Sequence, residues 1–238
     1  MNRNYSFSGY KNNHPSSHCT ITELRIIHEP DEIDEAINEI YKRCKHYPVV
    51  GMDCEWIPTT KKNQQPDVSL LQIATVDGFC VLIRTCYMTE LPPSLLDFLS
   101  DRKIIKVGVG IFNDGKVLHH KFQNCQVVGR LDIRYLSRSC NVFSRSESLK
   151  ELTKSLLHFE LDKDNVLFYK WNSRELDEDT ARYAALDALA GVKIFEKLLP
   201  LYHEQMSDDP LLPSKKLIER YFINPGSSCA RIFDRKFK

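Results

Sequence analysis

Two carboxylates stand at the end of an apolar run, in the stretch PVVGMDCEW at residues 48–56. The run predicts a buried strand, and alternate side chains of a strand share one face of the sheet. Asp53 and Glu55 are therefore expected to point the same way, with Cys54 buried on the opposite face. Two neighbouring carboxylates repel each other unless a cation intervenes. For such a pair alone, an exposed strand end with Arg or Lys partners is the commoner arrangement.

Two further acids lie in other elements. Asp114 follows the apolar run KIIKVGVG at the start of a predicted helix, where an Asp commonly provides the N-cap. Asp187 lies in RYAALDALAGV, four residues after Tyr183 and therefore on the same helix face. Burying an unpaired carboxylate in such an apolar helix is costly, and an ion pair with Arg182 or Lys193 is the alternative.

Taken together, the four acids from three separate elements predict a metal site. Mg²⁺ and Mn²⁺ prefer carboxylate oxygens, and only such charge lets so many acids share one place. Two such ions about 3.5–4 Å apart can clamp the attacking and leaving oxygens of a phosphodiester displacement. The predicted ligands are Asp53, Glu55, Asp114 and Asp187.

The elements that must position these acids are read from hydrophobic periodicity and turn residues. Strands are predicted at PVVGMDCEW, VSLLQIATV, FCVLIR, KIIKVGVG and CQVVGRLDI. Helices are predicted at DEIDEAINEIYKRC, PPSLLDFLS, DGKVLHHKF, ESLKELTKSLLH and DEDTARYAALDALAGVKIFEKLL. This order predicts an α/β fold with a mixed five-stranded sheet flanked by helices.

The two ends of the chain differ in composition from the middle. Residues 1–24 are expected to be a flexible tail, residues 25–205 one domain, and residues 206–238 a linker with a basic extension. Residues 214–238 carry seven Lys or Arg against two Asp or Glu, a net charge of +5.

Composition narrows the class of protein. Hydrophobic residues make up 42% and charged residues 27%, an ordinary globular balance, and the net charge of +1 provides no overall field for a polyanion. The eight cysteines form no C-x-x-C pair, so the usual zinc and redox spacings are absent. We therefore expect a reduced intracellular protein with no membrane span; nucleus, cytoplasm and mitochondrion are not distinguished.

The acidic motifs resemble those of a known enzyme family. GMDCEW, then FND at 112–114 and YAALD at 183–187, resemble the three motifs of DEDDy 3′→5′ exonucleases, the ribonuclease D and Werner exonuclease group. SLLQIA, KVGVG, LDIRYL, SLKEL and KWNSRELDEDTARYAALDA fall in the matching order. KVGVG favours the Werner-like and exonuclease 3′-5′ domain-containing branch over bacterial ribonuclease D. The resemblance spans roughly residues 30–200 and implies a three-layer ribonuclease H-like fold.

The resemblance also implies a mechanism and its residues. Asp53, Glu55, Asp114 and Asp187 would ligate two Mg²⁺ or Mn²⁺ ions, and Tyr183 would orient the attacking water. The expected reaction is two-metal-ion hydrolysis that releases nucleoside 5′-monophosphates from the 3′ end of single-stranded or other 3′-ended DNA or RNA.

Nucleic-acid contacts are predicted at cationic and aromatic positions near the motifs. These are Lys116, Lys150, Lys154, Arg182 and Trp171, the last as a base-stacking ring, although packing against the final helix is the commoner arrangement for such a ring.

Two other functions are compatible with parts of the sequence. GVGIFNDG, with Asp132 about twenty residues on, resembles a dinucleotide-binding loop, although Asn113 replaces its third glycine. An inactive exonuclease fold that binds nucleic acid or protein is the second alternative, and retention of all five signature residues argues against it. His119 and His120 lie near Asp114 in sequence, but surface histidines are common.

Overall fold

The structure, a computed structural model, describes residues 4–5, 19–59, 66–142, 146–161 and 170–205. Most of the predicted N-terminal tail and the whole predicted basic extension lie outside the described residues. The predicted domain boundaries at residues 24 and 205 stay a prediction.

The described chain forms one sheet with helices on both faces. The strands are β1 (Asn4–Tyr5), β2 (Glu23–Ile27), β3 (Val49–Trp56), β4 (Val68–Thr75), β5 (Phe79–Ile83), β6 (Ile105–Gly108) and β7 (Arg130–Asp132). The helices are α1 (Ile33–Arg43), α2 (Pro93–Ser100), α3 (Ile111–Lys121), α4 (Ile133–Ser139), α5 (Leu149–Leu157) and α6 (Glu178–Gln205). No helix among these residues combines the length and apolarity that crossing a membrane requires.

The sheet is mixed and its strand order is β1-β2-β5-β4-β3-β6-β7. β3 pairs antiparallel with β4 and parallel with β6, so it lies inside the sheet with a neighbour on each side. Buried side chains of α4, α5 and α6 form the core on one face of the sheet. Those of α1, α2 and α3 form the core on the other face. The predicted α/β class with helices flanking a mixed sheet is confirmed.

The strand count differs from the predicted five because the sheet extends beyond β5. β2 pairs in parallel with β5, and the two-residue β1 pairs with β2. The sequence pattern predicts no strand there, because Glu23 and Arg25 interrupt the apolar residues of β2. In the structure Arg43 of α1 forms an ion pair with Glu23 of β2 at 2.9 Å. The helix that packs on β2 therefore neutralises the charge of Glu23.

The last predicted strand is shorter than expected, and α3 starts earlier. Of CQVVGRLDI only the three residues of β7 are extended in the sheet, because Gly129 turns the chain with a φ of +70°. α3 begins at Ile111, three residues before the predicted start, and Gly110 is its N-cap residue with a φ of +75°. Asp114 is therefore not a helix cap; it lies inside the first turn.

The packing of α6 directly on β3 positions the acidic residues. A Cβ atom added to Gly51 of β3 would lie 1.7 Å from the Ala188 backbone oxygen of α6. Ala184, Ala185 and Ala188 are almost fully buried, and their small side chains permit this close approach. α6 therefore brings Tyr183 over the end of β3 that carries the two acids.

Replacing Gly51 tests this contact. Gly51→Ala must push α6 away from β3, because the obstructing atom is backbone rather than a flexible side chain. We expect the free energy of unfolding to fall by about 1–3 kcal/mol or more, the usual effect of overpacking. Urea denaturation measures this loss, and an unchanged unfolding midpoint would contradict the described helix–strand contact.

Candidate active site

Three carboxylates from two elements converge at one end of β3. Asp53 and Glu55 lie on the face of β3 that α6 covers, and Asp187 lies in the third turn of α6. One oxygen from each of the three lies within 4.8 Å of the others. The backbone N–H of Cys54 donates to Asp53 Oδ1 at 3.0 Å, and the Cys54 side chain packs in the opposite core as predicted.

This donor set suits a hard divalent cation. Three carboxylates at such spacing repel one another in a half-buried place, and that repulsion falls only when a proton or a cation neutralises them. Carboxylate oxygens are the ligands that Mg²⁺ and Mn²⁺ take. Lys193, one of the two residues considered as an alternative ion-pair partner of Asp187, pairs with Glu196 at 3.0 Å.

Asp114 lies beside this cluster without being one of the three. Its side chain is 3% exposed and does not line the cavity described below. Burial raises the pKa of the Asp114 carboxyl well above its ordinary value, and the charges of Asp53 and Glu55 add to this shift. Asp114 is thus electrostatically coupled to the cluster, and its role as a fourth ligand stays a prediction.

Tyr183 is hydrogen-bonded to the cluster from α6. Burial raises the pKa of its hydroxyl, and the charge of Asp187 and its hydrogen bond raise that pKa further. The hydroxyl therefore remains protonated at neutral pH and donates to the Asp187 carboxylate. Only 4% of the side chain is exposed, so its position is set by packing.

Asp132 holds the turn that leads to Asp114. Its carboxylate is fully buried and accepts the Gly110 backbone N–H at 3.0 Å. Arg134 donates Nε to Asp132 Oδ1 at 2.9 Å and Nη2 to Oδ2 at 2.5 Å. A carboxylate so occupied is not exposed to bind a ribose, so the dinucleotide-binding alternative is not supported. This supporting role was not predicted from the sequence, although the two-residue spacing of Asp132 and Arg134 in LDIR was a usable signal.

A cavity of about 550 Å³ opens beside the three acids. The start of α5 forms part of its wall with Ser148, Leu149 and Lys150, while Tyr183 lines it from α6. The basic residue among the described lining residues is Lys150, whose side chain is exposed. The cavity thus has an acidic part formed by β3 and α6 and a cationic side chain on α5.

Three other predicted nucleic-acid contacts are not among the residues that line this cavity. Lys116 is exposed on α3, Arg182 is half-buried on α6, and Lys154 is exposed on α5 with its Nζ 2.5 Å from Glu160 Oε1. None of the three lines the cavity. Their contacts with a nucleic acid stay predictions.

Trp171 packs in the core, the alternative to the predicted base-stacking role. Its side chain is only 1% exposed and belongs to the core beneath α6. A buried indole offers no face to a base, so the predicted stacking role is not supported. His119 is also structural, because its Nδ1 lies 3.0 Å from the Cys125 carbonyl oxygen.

A comparison with protein families identifies the domain. The family model described as a 3′-5′ exonuclease matches residues 25–202. Exonuclease 3′-5′ domain-containing protein 2 of Mus musculus is 36% identical over 192 residues, which cover 75% of this chain and 29% of that protein. The bifunctional 3′-5′ exonuclease/ATP-dependent helicase WRN of Mus musculus is 30% identical over 161 residues, which cover 67% of this chain and 11% of that protein. The chain therefore spans less than a third of either relative.

A solved structure shares the fold at lower sequence identity. The EXO domain of Aedes aegypti Nibbler superposes with a TM-score of 0.65 and 20% identity, covering 89% of this chain and 98% of that one. The predicted ribonuclease H-like fold is confirmed.

The raised pKa of Asp114 predicts a pH-dependent stability. In the folded protein Asp114 keeps its proton above the pH of about 3.9 at which the unfolded chain releases it. Its stabilising contribution is therefore complete below that pH and is lost as the pH rises toward the folded pKa. Asp114→Asn stays neutral, so the metal-free variant should be more stable than wild type at pH 8, by a margin that shrinks toward pH 4.

Urea denaturation in EDTA at pH 4, 6 and 8 measures that margin. The matched control is Asp97→Asn, which neutralises an exposed acid on α2 and should give a small difference at every pH. A margin for Asp114→Asn that is constant across this range would contradict the buried, charge-coupled carboxyl.

Proposed function

The chain belongs to the family of 3′-5′ exonucleases, and on that premise we propose that it removes nucleoside 5′-monophosphates from the 3′ end of DNA or RNA. The observation that carries this proposal is the cluster of Asp53, Glu55 and Asp187, whose oxygens lie within 4.8 Å of one another beside an open cavity. An acidic cluster of this kind repels a phosphodiester unless cations accompany it. The reaction is therefore metal-dependent.

The cofactors are two divalent ions, Mg²⁺ or Mn²⁺. The three clustered carboxylates would hold them, and Asp114 would complete the set from the first turn of α3. Such ions, when bound, lower the pKa of water and neutralise the charge that develops on the phosphate. The raised pKa of Asp114 fits this role, because cations are what allow so many neighbouring carboxylates to ionise together.

Tyr183 acts by position rather than by accepting a proton. Its raised pKa keeps the hydroxyl protonated at the pH where the reaction runs, which excludes it as a general base. Hydrogen-bonded to Asp187 and facing the cavity, the hydroxyl holds the attacking water in line with the scissile phosphate. Loss of the hydroxyl leaves the carboxylates in place.

The wall formed by α5 holds the phosphates of the substrate. Lys150 provides a positive charge beside the acids, and a Lys ammonium makes charge-assisted hydrogen bonds to phosphate oxygens. At the start of α5 Ser148 caps the helix by accepting the Glu151 N–H at 3.3 Å. The backbone N–H groups of the first turn of α5 point toward the N-terminal end of the helix, which lines the cavity. A helix N-terminus favours an anion beside it.

The extent of the domain is proposed together with its activity. Residues 25–205 would form the exonuclease domain, with the tail before it and the basic extension after it outside the catalytic unit. The extension would add salt-sensitive, sequence-independent affinity for phosphates. Cleavage rates on labelled DNA and RNA distinguish the two polymers as substrates.

Neutralising the clustered acids tests the activity. Asp53→Asn and Asp187→Asn keep the shape of the side chain but remove the charge of a ligand. Each should lower the cleavage rate by more than the 10- to 100-fold that is typical for a residue that only hydrogen-bonds to a metal ligand. Tyr183→Phe should lose less, because it keeps all the carboxylates. Purified protein is incubated with 3′- and 5′-labelled single-stranded DNA and RNA in Mg²⁺, Mn²⁺ or EDTA.

The control for these variants is Asp97→Asn, which removes an exposed acid on α2 and should retain wild-type activity. Metal-dependent shortening from the 3′ end supports the proposal, and the faster polymer identifies the substrate. Binding without cleavage under every metal would identify an inactive exonuclease fold instead, and wild-type activity in Asp53→Asn would contradict the assigned site.

Substituting Lys150 tests the proposed phosphate wall. Lys150→Ala should raise KM about two- to fivefold at low salt, the modest effect of an exposed charge, and change kcat less. Lys103→Ala is the matched control, because Lys103 is also exposed, does not line the cavity and is not one of the predicted nucleic-acid contacts. Steady-state kinetics at 50 and 200 mM salt measure both variants, and equal KM values for the two would contradict the role of Lys150.

A further inference from the structure

A buried glutamine lies next to the acidic cluster. Gln72 of β4 is the residue directly opposite Asp53 of β3 in the antiparallel register, and it is fully buried. Its strand neighbours Leu70 and Ala74 belong to the core on the α6 side of the sheet. The Gln72 side chain therefore shares the face of Asp53, and such cross-strand pairs have Cβ atoms about 4.5–5.5 Å apart.

The Gln72 amide makes no hydrogen bond within the described structure. Both Oε1 and Nε2 are buried without a partner. A buried amide without partners destabilises a protein, and an apolar side chain of similar volume would avoid that penalty. Packing alone therefore does not explain a glutamine at this position, and the residue directly across the strand pair is Asp53, whose carboxylate can accept from an amide N–H.

We infer that Gln72 is a positioning residue that donates Nε2–H to the Asp53 carboxylate when the acids hold divalent ions. This inference rests on the proposed function, because it assigns an outer partner to one of the proposed ligands. Asp53 Oδ1 already accepts the Cys54 N–H, and each carboxylate oxygen has a further lone pair. A carboxylate offers about four acceptor positions, so Asp53 can accept the Gln72 amide and still present oxygen to an ion.

A neutral donor suits this position better than a cationic one. A Lys or Arg beside Asp53 would neutralise the carboxylate and repel the ions that the cluster must hold. The amide of Gln72 orients the carboxylate without reducing its charge. Residues that hydrogen-bond to metal ligands commonly account for 10- to 100-fold in metal affinity or activity.

The test separates positioning from structural support by replacing the amide with apolar groups. Gln72→Met keeps the length of the side chain, and Gln72→Leu is a second variant of similar volume. Isothermal titration of the metal-free protein with MnCl₂ measures the Mn²⁺ affinity, and urea denaturation in EDTA measures stability. We expect the Mn²⁺ dissociation constant to rise about 10- to 100-fold with a urea midpoint no lower than that of wild type.

Tyr47→Phe is the matched control. The Tyr47 hydroxyl is also buried without a hydrogen-bond partner in the described structure. The charge that raises its pKa, besides burial, is that of Glu196 in α6, which is not one of the clustered acids. Removing it should leave the Mn²⁺ dissociation constant unchanged and the urea midpoint no lower. Both substitutions thus delete an unpaired buried polar group, and only the one beside Asp53 should weaken Mn²⁺ binding.

The outcomes distinguish this inference from the proposed function. Wild-type Mn²⁺ affinity in both Gln72 variants would overturn the inference and leave the proposed function intact. Weaker affinity that accompanies a lower urea midpoint in both variants would also overturn it, because Gln72 would then act through folding. If wild-type protein neither binds Mn²⁺ nor cleaves nucleic acid, the proposed function fails and the inference fails with it.

Discussion

The close contact between Gly51 and the backbone of Ala188 determines the geometry of the whole site. A strand and a helix that carry larger side chains at this crossing would lie farther apart, and Asp187 would move away from Asp53. The alanines of α6 and the one glycine of β3 are thus the feature on which the carboxylate cluster depends. The mixed sheet holds β3 between two neighbours, so the acids lie on a rigid element rather than on a loop.

The cluster that results is electrostatically unfavourable in the metal-free protein. One oxygen of each of the three carboxylates lies within 4.8 Å of the others. Asp114 is buried close enough for the charges of Asp53 and Glu55 to raise its pKa. Asp132 and Arg134 support the turn before Asp114, and Tyr183 shares a hydrogen bond with Asp187. The surrounding fold therefore stabilises an arrangement whose own charges oppose it, a trade between stability and function that is common at active sites.

Local spacing predicted the parts of the site that lie within one element. The two-residue spacing of Asp53 and Glu55 placed them on one strand face, and the four-residue spacing of Tyr183 and Asp187 placed them on one helix face. These relations follow from strand and helix geometry alone. That the separate elements contribute to one site was predicted from the order of the family motifs along the chain. No spacing within a single element could show it.

Features that depend on tertiary contacts were not predictable in the same way. The earlier start of α3 depends on the positive φ of Gly110. Gln72 read as an ordinary member of an apolar strand, because only the strand register places it opposite Asp53. Likewise, only packing shows that Lys150 lines the cavity whereas Lys116 does not.

The most direct test of the account is the thermal midpoint of EDTA-stripped protein as a function of Mn²⁺ concentration at neutral pH. An ion that binds only the folded state raises that midpoint progressively with its concentration. We predict such a rise for the wild-type protein and a much smaller rise for Asp187→Asn, in which one of the three clustered carboxylates is neutral. A midpoint that does not respond to Mn²⁺ in the wild-type protein, or that rises equally in both, would contradict the claim that these carboxylates form a divalent metal centre.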